Sequence, residues 1–182
     1  MSRRGYLALL AGLLFAVSQS AAPVSADPPT RSQIRSLLSG YEFVPTAEQI
    51  QSLGHEALPL LIELANDGAE PPFVRLRAVR LTAAFPTPAT RTFLLAMVRA
   101  PNQSDLMMRQ AVLALGQAFG ERCIPDVAPF LSHRDPVVRE AAVRALSRVG
   151  TNDARERIRR RMAQETSPHL RREIRRALAR GR

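Results

Sequence analysis

The sequence predicts an all-α protein built as a solenoid of stacked, antiparallel helix pairs, and three observations carry that prediction. Pro72, Pro136 and Pro168 fall 64 and 32 residues apart, so a 32-residue unit recurs through most of the chain. The same phase carries Val74, Val138 and Leu170, then Arg75, Arg139 and Arg171, and three residues further on the apolar Ala78, Ala142 and Ile174. Apolar residues inside each unit return at three- and four-residue spacing, the period of a helix buried on one face, so no strand is expected. Units that touch only their neighbours build no active-site cleft, and function has to come from what decorates the surface.

The clearest unit begins at His133. Asp135 is placed to cap a helix, Pro136 suits its first position, and Gly150 ends it. Between them Val138, Ala142, Ala145, Leu146 and Val149 form one apolar face, with Glu140 and Arg144 paired on the other. The following segment, 152–164, puts Ala154, Ile158 and Met162 on one stripe, so the unit reads as two helices joined by a tight turn. The same reading pairs a helix over 72–85 with one over 89–100, and one over 104–119 with one over 124–131, the middle unit being offset by one residue before Gly120. Gly54, Pro86 and Gly150 share the 32-residue phase, which makes 47–53 and 57–65 the first pair. Thr46 and Gln49 have the spacing of a capping box, and a second Thr-x-x-Gln start, Thr30 to Gln33, opens a helix that stops at Gly40. Tyr41 and Phe43 are expected to cover that end of the core.

Ahead of the repeats, Arg3 and Arg4, the apolar run Leu7 to Val17 and the small residues Val24-Ser25-Ala26 have the layout of a secretory signal peptide. Eleven apolar residues fall well short of the roughly 20 that span hydrocarbon, so no transmembrane helix is expected. Ser2-Arg-Arg-Gly-Tyr-Leu7 is also similar to a twin-arginine signal, with Ala8 where Lys is usual. The expected division is a signal peptide over 1–26, an N-terminal capping segment over 27–45 and the repeat domain over 46–182, with the mature chain periplasmic or secreted. Cys123, the lone cysteine, can form no internal disulfide; its place at the start of an apolar segment predicts burial as a small hydrophobe.

Every one of the 26 basic residues is arginine, a bias that with abundant Ala, Leu and Pro points to a GC-rich bacterial genome. Residues 134–182 hold 15 Arg and 6 acids, whereas residues 27–133 hold 9 Arg and 10 acids, so the repeat domain is basic at one end. That end is Arg155-Glu-Arg-Ile-Arg-Arg-Arg161 followed by Arg171-Arg-Glu-Ile-Arg-Arg176. One reading makes it the polar cap that a terminal repeat needs, with Asp153 and Glu156 pairing to Arg157 and Arg160. The other makes Arg155, Arg159, Arg160, Arg172, Arg175 and Arg176 a binding surface for phosphate or carboxylate groups.

Asp135-Pro-Val-Val-Arg139, with Ala142, Ala145-Leu146 and Gly150, resembles the HEAT-repeat family in its short bacterial form, related to the phycobilin-lyase repeats, over about residues 46–180. The resemblance implies a right-handed solenoid with first helices on the convex face and second helices on the concave one. It also implies that Arg75, Arg139 and Arg171, with Asp135, form an inter-repeat ladder, interrupted where Met107 stands in place of an arginine.

Enzymatic branches of that family ask for residues this chain lacks. The iron-dependent hydroxylases use several His-Glu dipeptides, and only His55-Glu56 is present, with His133 and His169 at turns. The glycosylases need aromatic side chains around a flipped base, whereas Trp is absent and aromatics make up 5%. Bilin lyase chemistry is a fold-level analogy, and no Cys-His or Ser-His-Asp grouping can be assembled. The sequence therefore predicts no catalytic residue, cofactor or metal. It predicts a noncatalytic interaction scaffold of the bacterial envelope whose partner is a protein with an acidic surface, or else an anionic envelope glycolipid or polymer, with a lyase-like or other enzyme as the least favoured alternative; nucleic acid is not expected.

Overall fold

The computed structural model describes residues 28–40 and 44–179. The signal-peptide segment, Tyr41 and Phe43 lie outside the described residues. Among those described there are ten α-helical segments and no strand. In chain order these are α1 Arg31–Ser39, α2 Ala47–Gln51, α3 Ala57–Asn66, α4 Pro72–Thr82, α5 Pro88–Arg99, α6 Asp105–Phe119, α7 Ile124–Val127, α8 Pro136–Val149, α9 Asn152–Gln164 and α10 Pro168–Ala179.

Local chemistry fixes most of these boundaries. Both Thr-x-x-Gln starts close as full capping boxes, Thr30 with Gln33 and Thr46 with Gln49. Asp135 accepts from the Val137 N–H at 2.7 Å, Ser104 from Met107, and Thr151 from Ala154. Gly54 (φ 86°) and Gly150 (φ 73°) turn the chain in left-handed conformations that a side chain resists. The expected helix over 124–131 is broken: α7 runs four residues and gives way to a 3-10 turn over Ala128–Ser132. Pro129 has no N–H to bond back along an α-helix, and the backbone tightens instead.

The helices stack with a register that departs from the sequence-based pairing in the N-terminal half. α4 rests on α3, α6 on α5 and α8 on the Ala128–Ser132 turn, whereas α4 and α5 scarcely meet; at the other end α9 packs on α8, as the sequence pairs them, as well as on α10. Hydrogen-bonded turns precede the helix-start prolines, although the shortest connection, Gly150–Thr151, is the one the sequence places after α8. Between α3 and α4, for instance, Asp67 accepts from the Ala69 N–H through its side chain and from the Glu70 N–H through its backbone. Grouped by the contacts of the N-terminal half, α4, α6, α8 and α10 are the second helices of their pairs, one helix out of phase with the grouping the prolines suggest.

Those second helices form a continuous row, most closely packed between α6 and α8, while α3, α5 and α7 scarcely touch one another. Close approach has a sequence cause: a Cβ on Gly116 of α6 would lie 2.6 Å from the Ala145 Cβ and 2.9 Å from its Cα. Two layers of unequal spacing curve toward the tighter one, so the row of second helices is the inner face. A single core runs along the stack, including Leu61, Leu64, Ala78, Leu94, Ala111, Leu115, Ala142, Leu146, Ile158 and Ile174, with Leu60 and Leu178 half-buried at its margin.

Candidate binding groove and its arginines

Along the solvent-facing side of the row of second helices runs a groove of about 830 Å³, lined from α4 through α6 and α8 to α10. Five guanidiniums line it, those of Arg80, Arg109, Arg144, Arg148 and Arg176, against the single carboxylate of Glu173. The floor is small or apolar: Leu113 of α6, Val143 and Ala145 of α8, and Ala177 of α10. Gln110, Gln117 and Ser147 add neutral hydrogen-bonding groups.

Three of the five arginines were encoded by the repeat itself. Arg80, Arg144 and Arg176 stand 64 and 32 residues apart, eight positions after each helix-start proline, so stacking brings them onto one face. The proline, Arg75 and apolar phases do not reveal this one, and of the groove's arginines only Arg176 stands among the binding residues predicted from sequence. At the matching place in α6 the chain has Leu113, and the charge comes instead from Arg109, about one turn earlier.

Their freedom to bind varies. Arg144 is held by Glu140 at 2.6 Å and Arg176 by Glu173 at 2.8 Å, while Arg80 reaches the Pro45 carbonyl at 3.4 Å. Arg109, half-buried, and Arg148, exposed, make no side-chain ion pair among the described residues.

The basic end anticipated from α9 and α10 is a different surface. Its Arg159 and Arg160 are exposed and share Glu156, whose carboxyl they hold below its ordinary range chiefly through the Arg159 hydrogen bond. Arg157 pairs with Asp153 at 3.0 Å. Arg155, Arg172 and Arg175 form no ion pair among the described residues, and Arg176 faces the groove.

The arginines at the shared start-of-helix phase do not make a uniform Arg–Asp ladder. Arg139 sets its Nε and Nη2 on the two oxygens of Glu165, at 2.9 and 2.8 Å, and turns Nη1 to the carbonyls of His133 and Arg134 at 3.0 and 2.9 Å. It therefore ties the turn of its own unit to the next turn, but through Glu165; the Asp135 carboxylate is committed to capping α8. Burial alone would push the Glu165 carboxyl up, yet the Arg139 fork, the Ser167 N–H and Arg161 outweigh it and hold it at about 2. Arg75 reaches the Ala65 carbonyl at 3.1 Å, with no carboxylate following it, and Arg171 makes no ion pair among the described residues. Met107 is buried where the ladder is interrupted. At the other end of the stack Glu70, also buried, holds Arg31 and Arg35 of α1 at 3.1 and 2.9 Å.

Residues weighed for chemistry occupy structural places. His55 is exposed and lies 6.0 Å from the Phe85 ring, centroid to centroid. The His133 ring accepts from the Asp135 N–H at 3.1 Å, and His169 lies 3.5 Å from Glu140. Cys123 is buried, which with the nearby Asp126 pushes its thiol up to about 11. Among the described residues no group of His, Cys, Asp and Glu could hold a metal, and no helix is long and apolar enough to cross a membrane.

Residues 103–179, from just before the Ser104 cap of α6 to the end of α10, match the family model for HEAT repeats. The chain matches no curated protein. HEAT repeats are generally noncatalytic and typically serve as protein-interaction scaffolds, in keeping with a stack that carries an extended groove lined by fixed charges.

Proposed function

We propose that this protein is a noncatalytic interaction scaffold of the bacterial cell envelope that receives a partner with an acidic surface in the groove of its second helices. The observation that carries the reading is the charge of that groove, five guanidiniums to one carboxylate spread over four successive units. Guanidinium forks match carboxylate geometry, and their spread along the stack selects a long acidic surface over a single small anion. The envelope location rests on the charged start, apolar run and Val24-Ser25-Ala26 site of the sequence. N-terminal sequencing of protein from the native host checks it: the expected first residue is Asp27, and an intact Met1 chain in the cytoplasm overturns it.

Crosslinking in the native host tests the groove. The doubly substituted Arg109→Ser/Arg148→Ser protein is expected to lose the principal crosslinked protein that the wild type captures. Retention of that crosslink at wild-type yield overturns the assignment.

A second reading has its own support, because Arg155, Arg172 and Arg175 stand outside any ion pair among the described residues on the end formed by α9 and α10. That surface suits an anionic envelope glycolipid. Sedimentation with anionic and zwitterionic vesicles separates the two readings: lipid binding that depends on Arg172 and Arg175 but not on Arg109 and Arg148 supports the second.

A further inference from the structure

We infer that the segment received by the groove is an extended acidic peptide, with a carboxylate at about every third residue and small or apolar residues between. The inference rests on the groove assignment above and adds the conformation and register of what occupies it.

Size is the first argument. Neighbouring helices pack about 8–10 Å apart, so four of them span roughly 27 Å from first axis to last. An α-helix of 10–12 Å diameter laid across that span would fill about 2,100–3,000 Å³. The groove is open to solvent along its length, so such a helix would turn only one of its faces to the arginines. An extended chain, about 4.8 by 10 Å in section, brings side chains from both sides of its axis against them over the same distance.

Hydrogen bonding is the second. A helix satisfies its own backbone, whereas an extended chain in the polyproline conformation leaves every N–H and C=O in need of partners. Gln110 and Gln117 lie seven residues apart on one face of α6, and Ser147 lies across from them on α8. Amide and hydroxyl groups that both donate and accept are the side chains to serve such a backbone.

Register is the third. Arg80, Arg144 and Arg176 recur once per unit, with Arg109 supplying the charge at α6. One turn of the polyproline helix advances about 9.3 Å in three residues, the same as the separation of adjacent packed helices. Carboxylates three residues apart therefore match the helix spacing, directly meeting Arg109 and Arg148, which are unpaired among the described residues, and exchanging with Glu140 and Glu173 at Arg144 and Arg176, while the residues between them lie over Leu113, Val143, Ala145 and Ala177.

Titration of the purified protein with two fluorescent twelve-residue peptides tests this. One is four repeats of Glu-Pro-Ala; the other has the same composition with its four glutamates contiguous. The spaced peptide is expected to bind at least tenfold more tightly, and to lose at least tenfold in Arg109→Ser/Arg148→Ser. Equal affinity for the two peptides, or unchanged affinity in the double variant, overturns the inference. Circular dichroism of the double variant should match the wild type, so that the loss reports binding and not folding. If neither peptide binds while the host crosslink still depends on Arg109 and Arg148, the extended segment is wrong and the scaffold reading stands. Loss of neither peptide binding nor crosslink in the variant removes both.

Discussion

Gly116 and Ala145 meet where α6 crosses α8, so closely that the first has no room for a methyl group: its Cβ would fall 2.6 Å from the Ala145 Cβ. The neighbouring backbone atom, the Ala145 Cα at 2.9 Å, cannot swing away as a long side chain would. Gly116→Ala is accordingly expected to separate the two helices and cost about 1–3 kcal/mol, despite the better helix propensity of Ala. Chemical denaturation measures it. Pairing the change with Ala145→Gly should recover part of the loss, and a stabilised Gly116→Ala protein would refute the contact.

Glu165 makes stability depend on acid. Its carboxyl titrates at about 2 in the folded chain against an ordinary value of 4.5, so the unfolded state binds the proton first. The stabilisation is complete above about pH 4.5 and disappears as pH falls from there through 2, an upper limit of about 3 kcal/mol. Urea midpoints taken between pH 2 and 6 should show this slope, and Glu165→Gln should flatten it.

Arg139 and Asp135 are predicted to separate in a way that identifies the rung. Arg139→Leu leaves the buried Glu165 carboxylate to Arg161 and the Ser167 N–H alone and is expected to cost about 2–4 kcal/mol. Asp135→Ala removes only the cap of α8, worth about 1 kcal/mol. Equal costs would return Asp135 to the ladder.

The thiol of Cys123 should resist modification. Buried and pushed up to about 11, it carries almost no thiolate at neutral pH. Alkylation by iodoacetamide is expected to be slow in the native protein and fast in denaturant; rapid native reaction would contradict the burial.

The exposed arginines of the basic end are expected to matter little for folding. Replacing Arg159, Arg160, Arg172 and Arg176 by Ser breaks only surface pairs with Glu156 and Glu173, so the urea midpoint is expected to move little. Whatever binding it removes should weaken steeply with salt, since such charges are screened over about 8 Å at physiological ionic strength.

The sequence made the helices legible because their ends are written locally. Thr30, Thr46, Asp135 and Gly150 each announce a boundary, and the apolar period announces the buried face. Pairing was less legible, since a helix with a neighbour on each side carries the same apolar pattern whichever neighbour it presses harder. Pro72 marks a helix start, but α4 presses on the α3 before it and not on the α5 after it, whereas α9 touches α8 and α10 alike. Glu165 was hidden for another reason: it follows Arg139 by 26 residues, and only the return of the chain between α9 and α10 brings the two together. The groove was present in the sequence as the recurrence of Arg80, Arg144 and Arg176, but a charge on a helix face reads as solvated until its neighbours are known.

The unequal spacing of the two helix rows divides the labour of keeping the protein intact. The Gly- and Ala-bearing row works as a keel, where one added methyl is felt by the adjoining rib. The opposite row is planking: α7 has shrunk to four residues and a proline-tightened turn, yet the hull stays closed. Natural variation in length should therefore gather among the planks, and a tag or a foreign loop should be borne best there, leaving the cargo side untouched.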